Sequence, residues 1–377
     1  MIGGAGSYTK ELALGLEKSG HSIHILAGYT KNRSKDKAVD KNFEGSLIRM
    51  TRKNWRNKSR FWFLIWHKVF LNFLNNFEFD LVIFCNMTAN IIGSKVFSDI
   101  NIPYMVVLHG DDVDYFFAQP RIKDHIMFRK KNMVGYFQSA RKIISVSKYL
   151  DNILGGYMPD LQNRSVVHHG IDLNNWPDST SIRNENGSIH KIVNNGLDKE
   201  KFVLMTAGRI IQEKRYDNVL AVLSKLNEQD IVCELIVAGA GPYLPKLKSL
   251  AIKLDIQKQV HFIGSVDRDD MFNLYSICDT FILLSERRGE TFGIVFLEAM
   301  LAGKPVIGTN IGGIPEVIDH EQNGFIVEPG DLHTTVGYLN RLIGNPELRM
   351  EMGAQSKFLM ESKFNNVHMA KATLEGF

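Results

Sequence analysis

Two glutamates, Glu290 and Glu298, stand eight residues apart at the ends of the segment ETFGIVFLE. Between them the chain is apolar and helix-forming apart from Gly293, which reads as a helix starting near Thr291. Eight residues of helix span roughly 12 Å, a length that suits a ligand with a sugar at one end and a ribose at the other. The mouth of such a helix offers backbone N–H groups to polar or anionic ligand groups. A carboxylate accepts hydrogen bonds from sugar or ribose hydroxyls. Taken alone, the pair reads as readily as a capping acid and a solvated helix glutamate.

Arg209 and Lys214 follow the apolar run 202–206. A guanidinium forks onto phosphate oxygens and an ammonium supplies a point charge; together they would neutralise a diphosphate leaving group. In isolation they are equally two surface cations. The segment VAGAGP at 237–242 ends another apolar run, and its glycines permit a tight turn or a close backbone approach. In the first half, LHGDD at 108–112 places His109 with two acids, a set suited to substrate contact or proton handling, although a loop histidine is often inert. Ser147, in SVSK, reads as a helix N-cap.

The elements that must position these residues alternate. Short β-type runs occur at 22–27, 46–50, 80–84, 104–108, 142–146, 165–168, 202–206, 233–238, 260–263, 280–284, 305–308 and 324–327, with helical patterns between most of them. Such alternation predicts parallel sheets covered on both faces, and the residues singled out fall at the carboxyl ends of strands, where ligands bind in such sheets. Residues 174–200 lack an apolar period and read as a linker. The chain opens on a glycine-rich segment, Gly3-Gly4-Ala5-Gly6. In a doubly wound domain that segment follows a first strand. No residues precede it that would form one, so the expectation is a missing first strand and an apolar slot in its place.

The length of 377 residues suits two domains, and 44% hydrophobic residues suit real cores. A net charge of +4 is too small to imply nucleic acid. Cys85, Cys233 and Cys278 lack metal-ligand spacing and read as buried thiols of a reducing compartment. There is no uninterrupted apolar run of membrane-spanning length and no leader pattern, so a cytoplasmic location is expected. Residues 52–60 carry five cations and no acid, and the aromatic run 61–66 follows. This suits an anionic membrane surface or a lipid-linked acceptor; it suits equally a surface loop leading into a buried helix.

The ordered set GGAG, LHGDD, ISVSKYL, HHGID, AGRIIQEK, VAGAGP, HFIGSV and SERRGETFGIVFLEAMLAGKPVIGTNIGGIPEVI resembles retaining glycosyltransferases of the GT-B fold, specifically glycosyltransferase family four, from Gly3 to about Phe364. The resemblance implies two Rossmann-like domains facing a central cleft, residues 1–177 for the acceptor and 178–361 for the donor, with 362–377 crossing back to the first. It implies sugar transfer from a nucleoside-diphosphate sugar to an acceptor hydroxyl with retention of configuration, without a metal or other cofactor. Glu290 would contact the transferred sugar and Glu298 the ribose. Arg209, Lys214 and Gly4 would hold the diphosphate. His109 would lie near the reacting centre, and Phe292 and Gly293 would offer backbone N–H groups to the sugar. His169 stands where the family more usually has asparagine. The implied acceptor is a glycan, glycolipid or lipid-linked molecule in surface polysaccharide or lipopolysaccharide assembly, with peripheral contact at the inner face of the cytoplasmic membrane. Other readings are a disaccharide synthase with a soluble acceptor, a nucleotide-sugar epimerase, and an inactive, truncated nucleotide-sugar-binding protein.

Overall fold

The computed structural model of the chain describes residues 4–28, 46–50, 62–117, 130–175, 196–198, 200–287 and 289–377. They form two compact units: residues 4–170 with 366–377, and residues 171–365. The basic stretch 52–60 and most of the expected linker, residues 176–195, lie outside the described residues.

The amino-terminal unit runs α1 (Gly4–Lys18), β1 (His24–Gly28), β2 (Ser46–Met50), α2 (Trp62–Asn75), β3 (Val82–Phe84), α3 (Met87–Val96), β4 (Tyr104–Leu108), α4 (Asp111–Phe117), α5 (Lys130–Ser139), β5 (Lys142–Ser145), α6 (Lys148–Tyr157) and β6 (Arg164–Val166). Among the described residues β1 and β2 pair in parallel, and β3-β4-β5-β6 form a second parallel sheet. All five residues of β4 are buried, as a strand covered on both faces requires. Beside it, the Asn90 side-chain amide donates to the Val107 carbonyl (3.0 Å), and the Tyr136 hydroxyl donates to Asn90 (3.2 Å). Ser147 caps α6 as its sequence predicts, its hydroxyl accepting from the Leu150 N–H at 3.2 Å. The C-terminal helix Asn366–Leu374 packs against α1. Lys142 extends its ammonium to the carbonyls of Ala372, Thr373 and Glu375, a cation at the negative end of a helix.

The glycine-rich opening differs from expectation. Gly3 lies outside the described residues, and Gly4 through Gly6 form the first turn of α1 rather than a separate loop.

The other unit continues with β7 (Val203–Ala207), α7 (Tyr216–Asn227), β8 (Glu234–Ala238), α8 (Leu244–Lys253), β9 (Val260–Gly264), α9 (Arg268–Ile277), β10 (Thr280–Leu283), α10 (Ile294–Leu301), β11 (Val306–Thr309), β12 (Gly324–Val327), α11 (Leu332–Gly344) and α12 (Pro346–Ser362). Its parallel sheet has the order β12-β11-β10-β7-β8-β9. From β7 the chain first builds outward through β8 and β9, then returns to place β10 on the other side. The junction of β7 and β10 is therefore a topological switch point, where the loops diverge and leave a crevice at the carboxyl ends of the strands. The chain enters and leaves this unit side by side, the Ile171 N–H donating to the Phe364 carbonyl at 2.8 Å. Every strand expected from the sequence is present, with ends within two residues of the expected ones. The three cysteines are buried free thiols, as expected.

Candidate active site

The site grows from the loops that follow β7 and β10. Beyond Ala207 the chain turns at Gly208 (φ +135°), exposes Arg209, and passes through a short helical turn, Gln212–Lys214. This loop lies on the one after β8: the N–H groups of Gly208 and Ile210 donate to the carbonyls of Ala238 and Ala240 at 2.9 and 3.0 Å. A β-carbon on Gly239 would lie 1.9 Å from the Gly208 carbonyl oxygen. The glycines of VAGAGP thus serve a backbone-to-backbone contact that shapes the loop carrying Arg209.

Lys214 turns inward and is buried. Its Nζ lies 3.0 Å from Oε2 of Glu290, which arrives from the loop after β10. The two loops are laced together. The Glu286 N–H donates to the Glu213 carbonyl at 3.0 Å, and Arg215 bonds both Glu286 and Asp217. Gly313 donates its N–H to the Glu290 carbonyl at 3.0 Å. A cation and a carboxylate are thereby held together at the switch point.

The helix after Glu290 begins later than its sequence suggests. Residues 291–293 form a bend, and Gly293, in the left-handed region at φ +85°, caps α10, which starts at Ile294. A β-carbon at Gly293 would meet the Phe296 ring at 2.7 Å, so the backbone conformation and the space both call for glycine. The path between the glutamates is therefore not eight residues of helix: residues 291–293 form the bend and 294–298 are helical. The Phe292 side chain is core, its ring 5.9 Å from that of Phe364. Glu298 lies on α10 and accepts at Oε2 from the Tyr275 hydroxyl at 3.0 Å.

His109 and Gly4 belong to the amino-terminal unit. His109 follows β4, and the Asp112 carboxylate accepts from the N–H groups of His109, Gly110 and Val113. Its Nε2 is 2.8 Å from the Cys85 carbonyl. Burial lowers the imidazole pKa, opposed by the nearby Asp112 charge. The buried Tyr8 ring sits edge-on to both His109 (4.8 Å) and His169 (5.5 Å). Gly4 is the exposed first residue of α1.

The sequence reading missed Tyr216 and Tyr275. Tyr216 stands two residues after Lys214 and was legible as a neighbour; Tyr275 sits on α9, with nothing local to mark it. Among the described residues no three His, Cys, Asp or Glu side chains converge as metal ligands do, and no helix is long and apolar enough to cross a membrane.

Two α/β units with parallel sheets, one carrying a basic and acidic pair at its switch point, are the architecture of GT-B glycosyltransferases. Residues 2–175 match Glycosyltransferase Family 4 and residues 189–358 match Glycosyl transferases group 1; the chain belongs to this family of glycosyltransferases. A crystallised Anabaena protein, HepE, bound to UDP, superposes with a TM-score of 0.76 at 20% identity, over 99% of this chain and 95% of that one. The N-acetyl-alpha-D-glucosaminyl L-malate synthase of Bacillus anthracis is 27% identical over 70% of this chain and 65% of its own length, so the match spans just under two thirds of that relative. The alpha-monoglucosyldiacylglycerol synthase of Streptococcus pneumoniae is 25% identical over 92% of this chain and 77% of its own.

Proposed function

We propose that this glycosyltransferase takes its sugar from a nucleoside-diphosphate sugar and transfers it, with retention of configuration, to a hydroxyl of a glycan, glycolipid or lipid-linked acceptor. The observation that carries the reading is the Lys214–Glu290 pair at the junction of β7 and β10, where an open parallel sheet receives ligands. Arg209, exposed on the same loop, forks onto the diphosphate, and Lys214 adds its charge as the leaving group develops. Glu290 accepts from hydroxyls of the transferred sugar and Glu298 from the ribose. The bend before α10 offers the backbone N–H groups of Phe292 and Gly293 to the sugar. For Gly4 the proposal is diphosphate contact at the amino terminus of α1, and for His109 it is substrate contact at the end of β4.

In the proposed reaction the bond between the anomeric carbon and the phosphate oxygen breaks while the acceptor oxygen bonds the same face. The acceptor proton passes to the departing phosphate. Positioning and charge stabilisation then supply the rate enhancement without a protein nucleophile or a metal. The name of the Streptococcus pneumoniae relative, a diacylglycerol glycosylating enzyme, supports a lipid acceptor, and the basic, aromatic stretch 52–66 supports peripheral placement at the inner face of the cytoplasmic membrane.

The test is to incubate the protein with UDP-glucose and GDP-mannose, each with diacylglycerol vesicles and with free sugars, and to read the anomeric proton of the product by NMR. An axial product from an axial donor supports the proposal. An inverted product overturns retention, and transfer to free sugars alone overturns the lipid acceptor.

A further inference from the structure

Tyr216, at the start of α7, is 1% exposed, and its hydroxyl has no hydrogen-bond partner among the described residues. A β-carbon on Gly208 would meet that hydroxyl at 3.2 Å and the Lys214 ammonium at 3.3 Å. The phenol oxygen and the ammonium thus both line the space beside Gly208. Glu290 Oε2 is also buried; it takes the Lys214 ammonium as an ion-pair partner at 3.0 Å and accepts no hydrogen bond of regular geometry among the described residues. A buried donor and a buried acceptor thus share the neighbourhood of one cation.

A buried hydroxyl without a partner is unfavourable, and phenylalanine would fill the same space without that penalty. We infer that Tyr216 is a positioning residue for Glu290: when a bound diphosphate draws the Lys214 ammonium away, the Tyr216 hydroxyl donates to the Glu290 carboxylate and keeps it aimed at the sugar. Without that bond, binding of a nucleoside diphosphate that carries no sugar would leave the carboxylate buried with neither cation nor donor. Burial, and after it the Glu290 charge, hold the phenol far above the usual tyrosine range, so it stays a protonated donor. The inference rests on the donor-site reading above.

The experiment uses the full chain and titration calorimetry with UDP, GDP and ADP. With whichever binds the unaltered protein, Kd is measured for Tyr216→Phe, Glu290→Gln and the double variant. Tyr216→Phe weakens binding about tenfold when Glu290 is present, and less than about twofold when residue 290 carries a neutral amide. Its ligand-free melting temperature is not lowered, because no bond is lost. A second readout needs no Glu290 variant: with the corresponding nucleotide sugar, Tyr216→Phe lowers kcat for donor consumption about tenfold. Equal weakening in both Glu290 backgrounds, no weakening in either, or unchanged kcat overturns the inference while leaving the donor site standing. Failure of the unaltered protein to bind any of the three nucleotides removes the donor-site reading and the inference with it.

Discussion

Lys214 and Glu290 come from loops after two neighbouring strands of one sheet, and the Lys214 ammonium lies 3.0 Å from the Glu290 carboxylate, with side chains only 11% and 13% exposed. Desolvation of both charges offsets most of their attraction, so the pair adds little net stability while making each partner depend on the other. It also keeps both side chains in place before any ligand arrives.

Removing one partner therefore leaves a buried charge alone. Glu290→Ala and Lys214→Met are each expected to lower stability by roughly 3 kcal/mol, the low end for a buried pair because neither side chain is wholly out of water. The double variant, Glu290→Ala with Lys214→Met, is expected to lose less than the two single losses combined. Chemical denaturation of the full chain checks this, and additive losses would contradict the pairing. For turnover, Glu290→Gln is the cleaner variant; it is expected to reduce the rate by about a hundredfold or more, measured with nucleotide sugar as donor.

Gly239 touches the loop that carries Arg209. Gly239→Ala would set a methyl 1.9 Å from a carbonyl oxygen in a backbone conformation of φ +140°. The expected loss is about 3 kcal/mol, or a drop in melting temperature on the order of 10 °C. Gly337, exposed on α11 with open space around it, is the control: Gly337→Ala is expected to raise stability by up to about 1 kcal/mol. Equal effects at the two positions would show that the close approach after β7 does not matter.

His109 makes stability depend on pH. Burial lowers its folded-state pKa below the ordinary value, about 6.5 in the unfolded chain. The unfolded state therefore binds the proton more readily as pH falls below about 6.5, and stability declines there until the folded imidazole also titrates. Above that window the contribution is fully present. Melting curves between pH 5 and 8 are expected to fall less steeply on the acid side for His109→Asn than for the unaltered protein; parallel curves would assign the dependence to other groups.

The strands were legible because buried parallel strands such as YMVVL at 104–108 are written as unbroken apolar runs. The ends of helices were not. Thr291 read as the start of a helix because ETFGIVFLEAM has a helical composition, yet Gly293 takes a left-handed conformation that delays α10 to Ile294. The charged site residues stood out by type at strand ends. Tyr275, which orders Glu298 from another helix, carried no such mark, because a tyrosine among the apolar residues of an amphipathic helix looks like core. The pairing of Lys214 with Glu290 follows from strand order, and strand order is not written in either segment.

A diphosphate site that uses Arg209 is read out by thermal stabilisation with UDP, GDP, ADP, UDP-glucose and GDP-mannose, compared between the unaltered protein and Arg209→Ala. Melting temperature is expected to rise with one base, by an amount corresponding to about 2.7 kcal/mol at a hundredfold excess over Kd. A much smaller rise is expected for Arg209→Ala, whose ligand-free melting temperature stays unchanged because residue 209 is exposed. No rise with any of the five compounds, or an equal rise in both proteins, would contradict a diphosphate site at the junction of β7 and β10.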